Sequence, residues 1–120
     1  MNRPIRFRAW DKLTKEILYP QFVTIDQKSE PFPFTVDNKV WGNNLILMQF
    51  TGLKDKNGKE IYEFDYLGDY CVFWGSGKYI LQNISTGDIM DCNEKNTQQK
   101  EVTGNRFETP REHTAMATDL

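Results

Sequence analysis

A general base has to be held within hydrogen-bond reach of the proton it takes, and this chain offers one histidine, His113, close to its last residue. A terminal segment frays unless something ties it down, so residues 113–120 read as a disordered tail and His113 as a solvated side chain. With that histidine set aside, neither a Ser-His-Asp nor a Cys-His nucleophile can be assembled. Cys71 and Cys92 lack the paired spacing of a metal knuckle, and Cys71 sits in an apolar run as a small core residue. Asp65, Asp69, Asp88 and Asp91 could converge on a divalent cation, with Asp65 the best member; aspartates beside glycine and at strand ends otherwise form turns. Gly75-Ser76-Gly77 is followed by no helix and no Lys-Ser/Thr, so it is no phosphate cradle. These residues point to no catalytic group, no metal site and no cofactor, and the chain reads as a non-enzyme.

Recognition chemistry is better represented. Arg6, Arg8 and Trp10 alternate along residues 3–10 and share one face of a strand, opposite Ile5, Phe7 and Ala9. Lys54, Lys56 and Lys59 decorate a tight turn further on. Together these six residues could neutralise phosphates while Trp10 stacks on a base. Asp11, Glu16, Asp55 and Glu60 interleave with them and dilute that field. The net charge is −2, from 15 basic and 17 acidic residues, so the chain as a whole makes no electrostatic case for nucleic acid. The charge is uneven, however: residues 1–60 sum to +3 and residues 61–120 to −5. Such a split can set the register between subunits. Three tryptophans, five tyrosines and eight phenylalanines supply the residue types enriched at protein interfaces.

The elements that must carry these residues are strands. Leu45-Ile46-Leu47-Met48-Gln49-Phe50 enters, and Ile61-Tyr62 leaves, a turn spelled Asp55-Lys56-Asn57-Gly58, the strongest short-range hairpin signal in the chain. Asn tolerates positive φ, and Gly adopts it without a Cβ clash. Residues 3–10 and 16–19 form an earlier hairpin across the polar turn 11–15, with Pro20 at a strand end. Glu30-Pro31-Phe32-Pro33-Phe34 is an extended loop, its phenylalanines either anchored on the core or exposed for binding. Residues 66–74 are apolar and aromatic, turned by Gly75-Ser76-Gly77, and 78–84 return. Ile89-Met90 is a short strand, Asn93 to Gln99 a polar loop, and Val102 to Phe107 a last strand. Thr109-Pro110 could open one helical turn, with Thr as its cap. Strands this short and closely spaced make a small barrel or sandwich. At 120 residues the chain is long enough for a core without staples. No apolar run approaches a membrane helix and no signal-peptide core opens the chain, so it reads as cytoplasmic.

Three blocks resemble the YopX family of phage and prophage proteins: Arg6-Phe7-Arg8-Ala9-Trp10-Asp11, the long central block from Leu47 to Glu63, and Val102-Thr103-Gly104-Asn105-Arg106-Phe107-Glu108-Thr109-Pro110. They fall at the start, middle and end of the chain, in family order. The resemblance implies several coiled β-sheets with an SH3-like barrel, phage origin and a tendency to assemble, and it implies no biochemical activity. Family members usually follow the central Glu with Gly-Asp-Ile; here Phe64-Asp65-Tyr66 stands instead, which puts the local turn in question.

The expectation is therefore a mainly β protein with little helix. An N-terminal lobe spans 1–63, an SH3-like barrel 64–112 and a tail 113–120. Its function is that of a phage accessory module, homo-oligomeric or binding a phage or host protein. The alternative is a nucleic-acid binder using Arg6, Arg8, Trp10, Lys54, Lys56 and Lys59.

Overall fold

A computed structural model describes residues 6–20, 23–25, 34–36, 39–40 and 45–113. The described chain is mainly β, with curled sheets and one short helix. It divides into two compact units, Ile5–Gln49 on one side and Phe50–Leu120 with Met1–Pro4 on the other. The division falls inside one strand, β6, rather than after residue 63.

In the first unit β1 (Phe7–Asp11) and β2 (Glu16–Leu18) form the expected hairpin, with Ala9 opposite Leu18 and Asp11 opposite Glu16. Asp11 builds the turn. Its Oδ1 accepts from the amides of Leu13 (2.9 Å) and Thr14 (3.3 Å), and its carbonyl accepts from Lys15, at φ 60°. The first half of β6 (Leu45–Lys54) pairs with β1 across the register Phe7–Gln49 to Asp11–Leu45. Ala9 and Leu45 pack with Leu18 and Leu47 into a small core. Three short strands, β3 (Val23–Ile25), β4 (Phe34–Val36) and β5 (Lys39–Val40), make a separate antiparallel sheet. Phe32 lies outside the described residues, and Phe34 is described by its backbone alone.

In the second unit the end of β6 pairs with β7 (Glu60–Tyr62) through the Asp55–Gly58 turn. A five-stranded antiparallel sheet follows: β8 (Asp65–Leu67), β9 (Tyr70–Gly75), β10 (Lys78–Asn83), β11 (Ile89–Asp91) and β12 (Val102–Asn105), in the order β11-β10-β9-β8-β12. The aromatic run 66–74 is two strands, not one, because Gly68, at φ 62°, turns the chain between Leu67 and Tyr70. Ser76 and Gly77, both at positive φ, form the β9–β10 turn that matches strand twist.

Alternation sorts the sheet's side chains. Leu67, Val72, Tyr79, Leu81 and Val102 point to one face and pack with Ile61; Tyr66, Cys71, Phe73 and Ile84 form a second cluster with Phe64 and Ile80. The centre of the sheet is thus buried on both faces, which is why its strands read as continuous apolar runs.

Two expectations about the last third fail. The helix α1 (Glu94–Thr97) lies in the stretch expected to be a loop, capped by Asn93, whose Oδ1 accepts from Asn96 at 2.9 Å. The helical turn expected at Thr109 is absent. The Asn105 carbonyl accepts from the Thr109 amide (3.0 Å) and hydroxyl (3.1 Å), and Asn105 Oδ1 accepts from Phe107 (2.9 Å) and Glu108 (2.8 Å). The chain turns there. At Gly104, on the bulge of β12 just before that turn, a Cβ would run into the Thr109 hydroxyl, so glycine suits the position.

Candidate binding groove

The central motif has two halves with different tasks. In the turn, Asp55 is buried and its carboxylate is saturated by backbone amides: Oδ1 accepts from Asn57 (2.8 Å) and Lys59 (2.9 Å), and Oδ2 from Val102 at the start of β12 (2.8 Å). The Lys56 amide adds a bond to the Lys100 carbonyl at 2.9 Å. Burial works to raise the Asp55 pKa, but the amides of Val102, Lys59 and Asn57 and the charge of Lys59 hold it below its ordinary value. This turn is a clip between hairpin and sheet.

The other half is a bulge. Residues 51–53 of β6 stand opposite Ile61 alone, with Gly52 at φ 88°. Thr51 Oγ1 donates to the Ile61 carbonyl (2.8 Å) and accepts from the Leu53 amide (3.2 Å), so the bulge is pinned from inside. The loss of ladder pairing opens the floor of a groove of about 540 Å³ that runs from Thr51, Gly52 and Leu53 to the β9–β10 hairpin and the start of α1. Trp74 stands over it 56% exposed, its ring held edge-on to the buried Tyr79 at 4.7 Å and 75°. On the rim Lys78 Nζ meets Asp91 Oδ1 at 2.7 Å, and Asn93 and Glu94 follow. Cys92 lines the groove as a neutral thiol, since burial pushes its pKa up to about 12. Burial does the same to Cys71. Neither is an activated nucleophile.

The candidate phosphate contacts are divided between the two units. Arg6, Arg8 and Trp10 belong to the first unit, and Lys54, Lys56 and Lys59 to the second. Arg6 is exposed, but Arg8, expected on a solvent face, is 4% exposed and interacts within the protein; Trp10 is half-buried. Alternation tells which residues share a face, not what covers it. Lys54 and Lys59 are exposed, and Lys56 lies 3.8 Å from Glu101. The four aspartates are separated too. Asp65 is buried and accepts from the Tyr62 amide (2.8 Å), Asp69 binds Arg111 (2.7 Å), and Asp91 binds Lys78. The Asp88 carbonyl accepts from the Asn83 amide at 2.8 Å. Among the described residues no group of three His, Cys, Asp or Glu side chains is placed to hold a metal ion, and no helix is long and apolar enough to cross a membrane.

His113 is not a solvated tail residue. It is half-buried, with Nε2 2.8 Å from the hydroxyl of Tyr66, and its ring packs against Tyr66 and Phe73. Residues 114–120 lie outside the described residues. Phe64 keeps the backbone that a glycine would supply, at φ 67°, and its ring meets Phe73 (5.9 Å) and Phe107 (5.5 Å) edge-on. Sequence reasoning missed the groove because its parts come from three places in the chain. The one available signal was Gly52 inside an apolar strand.

Comparison with known proteins agrees with this architecture. The crystal structure of protein EF1440 from Enterococcus faecalis superposes with a TM-score of 0.62 at 25% identity, covering 91% of this chain and 97% of that one. No curated protein matches. The family model described as YopX protein matches residues 6–112, and the chain belongs to the YopX family.

Proposed function

We propose that this protein is a non-enzymatic accessory module of a phage or prophage, working in the host cytoplasm by binding another polypeptide at the Trp74 groove, a second copy of itself first of all. The observation that carries the reading is Trp74. A tryptophan 56% exposed, braced by a buried tyrosine over a preformed groove, is the kind of aromatic anchor that dominates protein interfaces. Family membership supports the phage association, because the resemblance implied it.

Residues 64–112 are read as an SH3-like barrel. In support, its strands run as a meander, β8 to β11, with β12 returning beside β8 after the single turn of α1. That topology is a fold-level analogy and by itself assigns no ligand.

Light scattering over a range of concentrations tests the proposal, with fluorescence anisotropy against mixed DNA and RNA on the same samples. The expected result is a defined mass above the monomer that falls in Trp74→Ala, with no nucleic-acid binding at low salt. A monomer at every concentration, combined with nucleic-acid binding that falls steeply with salt, overturns the proposal and returns attention to Arg6 and the exposed lysines.

A further inference from the structure

The β1–β2 hairpin ends in a short basic tip, Lys12-Leu13-Thr14-Lys15, all four residues of which are exposed. Leu13, at 73%, is the most exposed large apolar side chain among the described residues. The backbone beneath it is braced. Asp11 Oδ1 accepts from the Leu13 and Thr14 amides, and the Asp11 carbonyl accepts from the Lys15 amide at 2.7 Å. Lys15 closes the turn at φ 60°, a backbone that glycine adopts more easily, so its cation is presented at a conformational cost. A turn held in this way has little freedom left to lose on binding. A lone exposed leucine needs no partner of its own. What gives this one a partner is its match to the Trp74 groove.

The groove has the complementary chemistry. Trp74, Leu53 and Cys92 give it an apolar lining, and its volume of about 540 Å³ lies in the range of sites that enclose small ligands, room enough for a leucine side chain. The charged groups on the rim are Lys78, Asp91 and Glu94. Lys78 is engaged by Asp91 at 2.7 Å. Glu94 is exposed, and its Oε1 accepts from the neutral side-chain amide of Gln98 at 3.3 Å; no lysine or arginine among the described residues pairs with it. The rim is therefore net acidic. The tip is net basic, because of residues 12–16 Lys12 and Lys15 are cations and Glu16 alone is an acid.

We propose that the occupant of the Trp74 groove is the β1–β2 tip of a second copy of this chain, with Leu13 seated against Trp74 and the flanking lysines facing Asp91 and Glu94. The inference rests on the reading of that groove as a polypeptide-binding site. Tip and groove are different patches, so each copy brings one of each, and a copy that has lost one can still use the other.

Light scattering on single and mixed variants of the full chain tests this. Leu13→Asp removes the apolar residue of the tip, adds a charge like that of the rim and leaves the groove intact. Leu13 is solvated, so this change should leave the unfolding midpoint in place. Trp74→Ala removes the anchor and leaves the tip; because Trp74 also braces Tyr79, the exposed Glu94→Lys serves as a second groove variant. Each variant alone should show a lower mass than wild type at equal concentration, its dissociation constant raised about tenfold or more. Leu13→Asp mixed with either groove variant should give a one-to-one complex and nothing larger, since one intact tip then meets one intact groove. Adding Lys12→Glu and Lys15→Glu to the Glu94→Lys chain should restore assembly. If Leu13→Asp assembles as wild type does while Trp74→Ala does not, the inference is overturned and the groove takes another polypeptide. Variants that stay apart when mixed overturn it as well. A wild type that is monomeric at every concentration removes the reading of the groove itself, and this inference with it.

Discussion

One face of the β8–β12 sheet closes on Ile61, with Leu67, Val72, Tyr79, Leu81 and Val102 in apolar contact; the other closes under residues 106–113, through rings, one guanidinium and one phenolic hydroxyl. The first cover arrives by a hairpin clipped to β12 through Asp55, and the second by the segment after β12, where Phe107 meets Phe64, Arg111 the Gly68 carbonyl and His113 the Tyr66 hydroxyl. The difference matters because apolar burial is non-directional, whereas hydrogen bonds and ring edges work only in a set geometry. One sheet therefore has an apolar side and a hydrogen-bonded side. The groove at Trp74 opens beside the apolar one, where Leu53, Tyr79 and Cys92 contribute to both groove and core.

The largest effect should come from breaking the apolar side. Leu81 is fully buried in that cluster, and Leu81→Ala is expected to cost about 2–5 kcal/mol, read from the midpoint of denaturant unfolding. A loss under about 1 kcal/mol would mean that this face is not the stable one.

Asp55 comes next. Asparagine keeps one oxygen for the amides of Asn57 and Lys59 but turns an NH₂ toward the Val102 amide, so Asp55→Asn should lose about 2 kcal/mol. The pH dependence has a definite sign. The folded carboxyl titrates below its ordinary value, so its contribution is complete above about pH 4 and is lost as pH falls through the lower, folded value. The gap between wild type and Asp55→Asn should hold through mildly acidic pH and shrink only in strong acid. Unfolding curves at a series of pH values check this, and a gap that closes already in mild acid would mean that the carboxylate is not what holds the clip.

How much of this was legible depends on whether one residue or several had to be placed. The Asp55–Gly58 turn, the Gly75–Gly77 turn and the alternation of β1 could be read, because each rests on local backbone preference. Asn93 before Glu94 was a legible cap for α1 that a polar composition hid. What covers a face was not legible. Arg8 is buried and Tyr66 is sealed because of residues distant in sequence, and no period of two or 3.6 encodes that. The same limit hid the fate of His113, whose partner is 47 residues away. It hid the groove as well, since Gly52, Trp74 and Asp91 meet only once the sheet has formed.

Phe64 offers the finest test of the hydrogen-bonded side, because two terms of similar size oppose each other there. A left-handed backbone costs a non-glycine residue about 1–2 kcal/mol, which Phe64→Gly would recover. The same change removes edge-on contacts with Phe73 and Phe107, worth about 0.5–1.5 kcal/mol each beyond their area. It also removes the burial of a half-covered ring and adds about 0.5–1 kcal/mol of backbone freedom to the unfolded chain. The balance favours phenylalanine, and Phe64→Gly should be less stable by about 1 kcal/mol in denaturant unfolding. The Arg111 amide hydrogen, bonded to the Tyr66 hydroxyl, should also exchange faster, because Phe107 has lost the ring it rests on. A variant more stable than wild type would mean that the ring contributes less than the strain it imposes, and that the second face is held by the bonds to Tyr66 and Gly68 with little help from Phe107.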